Sequence, residues 1–359
     1  MRLSQRLQSV PAYPFARWNE ECRRVAESGI DIIRLDMGNP DLPPPPSVTR
    51  ELREQAKMTT CHGYAGYRGI ASLRETIASH YASRFGVRLD PENEVVPLLG
   101  SKEGIVNLAL ATLNPGDVAL VPSPAYAPYA RSALLSGAEP YFFPLIEDRG
   151  FLPDLGALPP ETVRRARVLW LNYPNNPTGA TASIEFLAEA VAFARANDLL
   201  LCHDAPYADV TFGGYVAPSV LQVAEAANVA IEFNSLSKTF NMAGWRVGMA
   251  VGCPDVLAGL ARIKSNVDSG IFLPIQKAAA RALQIDRTWI EARNGIYRER
   301  LETIVEGLDA AGLRAAVPRA TPYVWAGLPK GVDSEAVARV LLKRKGVSVA
   351  PGAFFGPAG

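Results

Sequence analysis

The sequence predicts an α/β protein with a doubly wound, mostly parallel sheet, because short apolar runs alternate with longer amphipathic stretches. Runs that are apolar on both faces are typical of strands covered by helices on each side. The predicted strands are 118–121, 168–171, 199–202, 229–233 and 247–251. The predicted helices between and beside them are 71–85, 102–113, 184–196 and 254–264. This alternation indicates a doubly wound fold, which we place in a large domain, residues 46–266.

The two ends of the chain are predicted to form a second, smaller α+β domain from residues 1–45 and 267–359. At about 150 residues per domain, the length also favours two domains. Pro43–Pro46 should form a stiff extended connection that enters neither a helix nor a central strand. The later elements are predicted to be a helical region at 272–311 with a break near 285–286, a strand-like segment at 323–326 and a helix at 334–345.

Charge and composition argue against several classes of protein. Lys and Arg total 37 against 36 Asp and Glu, so the chain has no overall field with which to gather nucleic acid or an anionic membrane. The four cysteines are dispersed and the three histidines lack ligand spacing, so we expect neither a disulfide scaffold nor a metal site. No apolar stretch approaches the roughly 18 residues of a membrane span, and the N-terminus lacks a signal-peptide pattern. We therefore expect a soluble, cytoplasmic protein.

The segment 234–248 contains the most informative group of polar residues. Lys238 follows a predicted strand, and open α/β sheets place ligands at strand ends. A lysine near a pocket can form a Schiff base where its surroundings favour the neutral amine. Ser235, Ser237 and Arg246 would suit a phosphate, the arginine as a bidentate donor. A solvated surface lysine is the alternative, and these residues alone favour neither.

Two further segments follow predicted strands. Asn176 lies in the turn N-Y-P-N-N-P-T-G after strand 168–171, where its amide can face a ligand, although such turns are often only structural. Asp204 follows strand 199–202, and a carboxylate against a buried strand is costly unless it is paired. A helix cap is the alternative for Asp204. We interpret the neighbouring His203 as structural.

The segment G-S-K-E-G opens the predicted helix at 102–113. Free N–H groups and the hydroxyl of Ser101 at a helix start can bind an anion, although serine is also an ordinary N-cap. The sequence contains neither a Walker loop nor a G-x-G-x-x-G motif. Their absence argues against a nucleotide or nicotinamide enzyme.

Taken together, these segments resemble the fold-type I pyridoxal-phosphate enzymes, and within them the class I and II aminotransferases. The N-N-P-T-G turn, the D-x-x-Y segment and S-x-S-K with an arginine eight residues later occur in the family's order over nearly the whole chain. The resemblance implies an aspartate-aminotransferase-like fold and pyridoxal 5'-phosphate as cofactor. It also implies transfer of an amino group between an L-amino acid and a 2-oxo acid such as 2-oxoglutarate.

The resemblance implies a role for each residue around the cofactor ring. Lys238 forms the Schiff base and then moves the proton between the substrate and the cofactor. Asp204 pairs with the pyridine nitrogen and keeps it protonated. Tyr207 and Asn176 hydrogen-bond the ring's phenolic oxygen, and Tyr126 stacks on the ring.

The resemblance also implies how the phosphate is bound. Ser101, Lys102 (through its backbone N–H), Ser235 and Arg246 match phosphate-binding positions. Tyr64 matches a tyrosine that reaches the phosphate of the neighbouring subunit. A homodimer with shared active sites is therefore implied.

Within the family, the stretches 35–45, 241–246 and 264–272 are most similar to the LL-diaminopimelate aminotransferases of lysine biosynthesis. Gly38 and Asn176 match contacts to the substrate. We predict that Asp268 pairs with the distal ammonium of this donor, in the neighbouring subunit, or else caps the helix near 272.

The family's carboxylate-binding arginine follows a P-G-x-x-F-G segment, here 351–356, and no arginine follows it in this sequence. We expect either that the natural chain continues past Gly359 or that carboxylate recognition is unusual. Two alternatives to an aminotransferase remain at this point. One is a β-lyase or decarboxylase on the same scaffold, and the other is a non-catalytic ligand-binding or regulatory relative.

Overall fold

The computed structural model describes residues 3–359 and has a mixed seven-stranded sheet at its centre. A second, two-stranded sheet joins the two ends of the chain. The strands are β1 (Ile33–Arg34), β2 (Val95–Leu98), β3 (Val118–Ser123), β4 (Glu139–Pro144), β5 (Ala166–Leu171), β6 (Leu200–Asp204), β7 (Ala230–Ser235), β8 (Gly248–Gly252) and β9 (Val347–Ser348).

Helices cover both faces of the large sheet and form much of the rest of the molecule. They are α1 (Gln5–Ser9), α2 (Pro14–Glu27), α3 (Pro46–Ala56), α4 (Ala71–Phe85), α5 (Ser101–Thr112), α6 (Pro128–Ser136), α7 (Pro160–Arg165), α8 (Ile184–Ala196), α9 (Leu236–Thr239), α10 (Pro254–Val267), α11 (Leu273–Leu283), α12 (Arg287–Ala310) and α13 (Ser334–Lys345). In the part of the chain that the structure describes, no helix is long and apolar enough to cross a membrane.

The large sheet has the strand order β2-β8-β7-β6-β5-β3-β4, in which β8 runs opposite to the other six strands. Helices α5, α6 and α10 pack on one face, and α4, α8 and α11 pack on the other. The chain passes from β3 outward to β4 and then returns to β5 on the other side of β3. Ligands of open α/β sheets bind outside the carboxyl ends of strands where the order reverses in this way.

All five predicted strands are confirmed, with ends that differ by at most two residues from β3, β5, β6, β7 and β8. Strands β2 and β4 were not predicted. Both are edge strands and contain prolines, Pro97 in β2 and Pro140 in β4. Proline occurs in sheets mainly on edge strands, and it interrupts the apolar run by which a buried strand is identified, so this pattern misses both strands.

The predicted helices are also confirmed, including the break in the long region, where Asp286 caps α12 by accepting from the Thr288 N–H at 2.8 Å. Two other predictions are wrong. Residues 323–326 form no strand, although the next residue, Gly327, makes an isolated bridge to Arg314. Pro46 enters a helix as the first residue of α3, a position that requires no N–H from proline.

The ends of the chain meet around a small core of their own. Strand β1 pairs with β9, and the Trp18 indole donates to the Ser348 hydroxyl at 2.8 Å. Helix α11, which follows the predicted domain boundary at residue 266, packs closely against α3 and α4. The division into domains at residues 45 and 266 stays a prediction.

Candidate active site

A cavity of about 400 Å³ lies at the carboxyl ends of β3, β5, β6 and β7. These strands are parallel, so the segments that follow them meet at one edge of the sheet. Ten of the twelve residues predicted for the site line this cavity: Gly38, Ser101, Lys102, Tyr126, Asn176, Asp204, Tyr207, Ser235, Lys238 and Arg246. Tyr64 and Asp268 do not line it.

Lys238 lies on the one-turn helix α9, directly after β7, and lines the cavity. Its Nζ donates to the carbonyl oxygen of Gly38 at 2.5 Å. Burial, together with the positive charge of Arg246, lowers the pKa of Lys238 to about 8. A lysine with a pKa this low carries a substantial neutral fraction near neutral pH, which is the form that attacks a carbonyl.

Asp204 ends β6, and its side chain is buried with one oxygen satisfied and the other not. Oδ2 accepts from the Tyr129 hydroxyl at 2.6 Å. Oδ1 has no hydrogen-bond partner among the described residues. Burial raises the pKa of Asp204 to about 6, although the hydrogen bond from Tyr129 opposes the shift. A cationic N–H donor in the cavity would satisfy the free oxygen and favour the ionised carboxylate.

Tyr129 is a site residue that the sequence analysis missed. Its ring stacks on Trp170 with centroids 4.7 Å apart, which fixes the hydroxyl that holds Asp204. Tyr126, which was predicted, packs edge-on against Tyr129 at 5.7 Å. The nearest signal in the sequence is the spacing of three residues between the two tyrosines, which gives no indication of the partner.

Asn172 is a second missed residue, and it links two of the predicted motifs. Its Nδ2 donates to the backbone carbonyl of Asp204 at 2.6 Å, and its Oδ1 accepts from the Asn176 N–H at 2.8 Å. Asn172 is buried at the end of β5. It therefore fixes the turn that presents Asn176 relative to the strand that ends in Asp204.

Tyr207 has a partner from a distant part of the chain. Its hydroxyl is hydrogen-bonded to the hydroxyl of Tyr323, which also lines the cavity. Burial raises the pKa of Tyr207 well above its usual value. Tyr323 was predicted only as part of a strand, and a contact across 116 residues leaves no local pattern.

Arg246 lies beside the start of α5, and together they form a candidate anion site. Arg246 approaches Gly100 so closely that a Cβ on this glycine would collide with the guanidinium. A Cβ on Gly248 would likewise lie 2.7 Å from the N–H nitrogen of Ser101. The free N–H groups at the start of a twelve-residue helix, together with an arginine, favour a phosphate.

The side chains of Lys102 and Ser235 both contact other groups of the chain beside this site. The Lys102 ammonium lies 4.7 Å from the centroid of the Tyr13 ring, in a cation–π contact. Ser235 caps α9, accepting from the Ser237 N–H at 3.2 Å. Lys102 is the second residue of α5, so its backbone N–H is one of the free N–H groups at the start of this helix.

Asp268 follows the end of α10, and both of its oxygens are engaged within the chain. Oδ2 accepts from the Lys264 ammonium at 2.6 Å, and Oδ1 accepts from the Gly270 N–H at 2.7 Å. It does not cap α11, whose N-cap residue is Phe272. Tyr64 is 92% exposed and contacts no part of the cavity of its own chain.

A family model described as Aminotransferase class I and II matches residues 30–358. The chain belongs to the class I and II aminotransferases. It is similar to the LL-diaminopimelate aminotransferase of Syntrophobacter fumaroxidans, with 45% identity over 356 residues that cover 99% of this chain and 92% of that protein.

Solved structures of the family show the same fold. Apo-BacF from Bacillus subtilis matches with a TM-score of 0.95 and 37% identity, covering 99% of this chain and 92% of that chain. Aspartate aminotransferase from Thermus thermophilus with maleate matches with a TM-score of 0.90 and 31% identity, covering 99% and 93%. The predicted aspartate-aminotransferase-like fold is confirmed.

As a class I and II aminotransferase, the protein uses pyridoxal 5'-phosphate and acts on amino acids and 2-oxo acids. This assignment favours transamination over the lyase, decarboxylase and non-catalytic alternatives. Three observations show that the residues of the cavity suit this cofactor. Lys238 has a lowered pKa, Asp204 has an unpartnered buried oxygen, and the start of α5 with Arg246 offers an anion site.

The raised pKa of Asp204 predicts how the cofactor-free protein responds to pH. Since the folded pKa of about 6 exceeds the ordinary 3.8, this group stabilises the fold at low pH, and the stabilisation is lost as pH rises through 6. In the wild type, this carboxyl should lower the unfolding free energy by about 2 kcal/mol between pH 4.5 and 8. Asp204→Asn should abolish that decrease. Urea denaturation of both proteins at the two pH values measures the difference.

An Asp148→Asn variant, changed at an exposed position, controls for the substitution itself. An unchanged pH dependence in Asp204→Asn would contradict the assignment of a raised pKa to this carboxyl.

Proposed function

We propose that this aminotransferase takes LL-diaminopimelate as amino donor and a 2-oxo acid such as 2-oxoglutarate as acceptor, in lysine biosynthesis. The observation that carries the proposal is its full-length similarity to relatives named for that donor. A donor with a second ammonium and carboxylate needs polar partners, because burying that pair without them costs several kcal/mol. The cavity wall offers the amides of Asn19, Asn39 and Asn176.

The chemistry follows from the residues around the cavity. When bound, pyridoxal phosphate accepts the electron pair that is released at the substrate's Cα. Lys238 is the amine that holds the cofactor and then carries the proton to and from Cα. With a pKa of about 8, its amine is suited to accept and return a proton near neutral pH.

Asp204 faces the pyridine nitrogen in this proposal. Its unpartnered Oδ1 would accept the N–H of the protonated ring, and Tyr129 holds the other oxygen in place. An ionised carboxylate beside the ring nitrogen favours its protonated form. Tyr207 and Asn176 would hydrogen-bond the phenolic oxygen of the ring, and Tyr126 would pack on the ring face.

The start of α5 would hold the phosphate. The N–H groups of Ser101 and Lys102, the hydroxyl of Ser235 and the guanidinium of Arg246 would bind its oxygens. Contacts from several rigid elements would fix the ring relative to Lys238, which is a condition for efficient proton transfer. In this proposal the backbone of Gly38, whose carbonyl accepts from Lys238 in the free protein, would contact the substrate's α-carboxylate.

We further propose that two copies of the chain form a dimer in which each contributes Tyr64 to the partner's phosphate site. A Cβ on Gly270 would collide with the carbonyl oxygen of Gly66, so the loops that contain Tyr64 and Asp268 form one continuous surface. This surface exposes large apolar side chains, namely Met58, Tyr64, Tyr67, Val267 and Phe272. Contiguous exposed apolar groups are typical of an interface.

The role of Asp268 and the cellular location of the protein stay predictions. Asp268 would have to give up its partner Lys264 to bind the ammonium of a substrate in the neighbouring subunit. The four cysteines are all buried and unpaired, which suits the reducing cytoplasmic location that the sequence predicts.

Replacing Lys238 should remove the chemistry while leaving some cofactor affinity. We expect Lys238→Ala to lose the visible absorbance of covalently bound cofactor and at least about 1,000-fold of turnover, because one amine serves both steps. Absorbance spectra and kcat measure the two losses. Lys343→Ala, on the exposed side of α13, is the matched control. Wild-type spectrum and turnover in Lys238→Ala would refute the assignment.

Subunit mixing tests the shared site. Tyr64→Phe should weaken cofactor binding, and a one-to-one mixture of this variant with Lys238→Ala should regain about a quarter of wild-type activity at limiting cofactor. Only mixed dimers combine an intact Lys238 with an intact Tyr64 from the other chain. A mixture no more active than its two components would contradict a site completed by the partner.

Substrate preference tests the proposed donor. We expect kcat/KM for LL-diaminopimelate to exceed that for aspartate, alanine, glutamate and an aromatic amino acid. The same measurement can overturn the proposal. A tenfold preference for any of the other donors, about 1.4 kcal/mol of transition-state stabilisation, would leave an aminotransferase of a different substrate class.

A further inference from the structure

Tyr323 lies between two residues of the candidate site. Its hydroxyl is hydrogen-bonded to that of Tyr207, and the two rings pack edge to face with centroids 5.3 Å apart. On its other side, the same hydroxyl lies so close to Gly38 that a Cβ there would collide with it. Gly38 in turn accepts from Lys238 at 2.5 Å. Tyr323 therefore contacts Tyr207, the proposed donor to the cofactor's phenolic oxygen, and Gly38, which accepts from the amine of Lys238.

The backbone holds Tyr323 at a fixed distance from Tyr207. The Thr321 N–H donates to the Val210 carbonyl, and the Phe212 N–H donates to the Arg319 carbonyl, both at 2.8 Å. Thr321 is fully buried at φ +73°, a conformation that is unfavourable for a β-branched residue. Such strain persists only where surrounding contacts impose it, and it concentrates at functional sites.

The number of hydroxyl protons decides which of the two tyrosines donates to the other. Each tyrosine hydroxyl has one proton to donate. Among the described residues, the hydroxyls of Tyr207 and Tyr323 have hydrogen bonds only to each other. If Tyr207 donates its proton to a cofactor oxygen, Tyr323 must supply the proton between the two tyrosines. A hydroxyl that accepts a hydrogen bond also becomes a better donor.

We propose that Tyr323 is a positioning residue that donates to the Tyr207 hydroxyl and so directs the Tyr207 proton to the phenolic oxygen of the cofactor. The same hydroxyl packs against the Gly38 backbone. This inference rests on the proposed function of Tyr207.

Neither tyrosine of the pair loses its proton near neutral pH. Burial raises the pKa of Tyr323 to about 12 and that of Tyr207 further above its usual value, so both keep their protons. The titratable groups that face the pair are Tyr13, Tyr126, Asp204 and Lys238. The tyrosine pair therefore stays a constant donor over the pH range in which the spectrum of the bound cofactor is measured.

The test is a double-mutant cycle on the holoenzyme, using Tyr207→Phe, Tyr323→Phe and the variant with both changes. A hydrogen bond to the phenolic oxygen favours its anionic form, so losing it should raise the pH midpoint of the visible absorbance change. Tyr323→Phe should raise this midpoint less than Tyr207→Phe does, and should weaken pyridoxal phosphate binding about two- to fivefold. The double variant should match Tyr207→Phe alone, because Tyr323 acts through Tyr207.

Tyr215→Phe is the matched control, since it removes a hydroxyl that donates to the Ala182 carbonyl outside the cavity. It should leave the midpoint unchanged. A wild-type midpoint in Tyr323→Phe, or fully additive shifts in the double variant, would overturn the positioning role while leaving that of Tyr207 intact. A wild-type midpoint in Tyr207→Phe would instead refute the proposed role of Tyr207, and the inference with it.

Discussion

The common direction of β3, β5, β6 and β7 is the constraint on which the site depends. Parallel strands place every carboxyl end at one edge of the sheet, so segments far apart in sequence begin their turns side by side. Antiparallel β8 then returns from this edge along β7, which brings Arg246 back to the start of α5. The cofactor's nitrogen, phosphate and aldehyde can thus be held by three neighbouring elements.

Desolvation gives these residues their reactivity. Burial moves the pKa of Lys238 down and that of Asp204 up, so each shift favours the neutral form. The two effects have different consequences for a bound cofactor. Lys238 needs its neutral form to react, whereas Asp204 needs its charge, and the ring N–H supplies the partner that restores it. The unpartnered Oδ1 therefore destabilises the cofactor-free protein, and a bound cofactor would remove this destabilisation.

The sequence predicted those parts of the fold and site whose physical cause is local. Runs such as 168–171 identify strands because both faces are buried, and Asp286 identifies a helix break because a cap needs only neighbouring residues. Strand β4 was not predicted because its prolines contradict the pattern of a central strand, although an edge strand tolerates them. Ten of the twelve predicted site residues meet in one cavity because a strand end precedes most of them.

The residues that were missed share a different property, which is that their partners are set by tertiary structure. Tyr129 holds Asp204 across 75 residues, Asn172 joins two turns, and Tyr323 reaches Tyr207 across 116. None of them needs to touch the cofactor to matter, because each fixes a group that does. A carboxylate or hydroxyl that must meet a rigid ring within hydrogen-bond distance gains from having its own rotamer held by a second contact. A family motif records the groups that touch the ligand, whereas the supporting contacts become visible only when the fold brings the distant segments together.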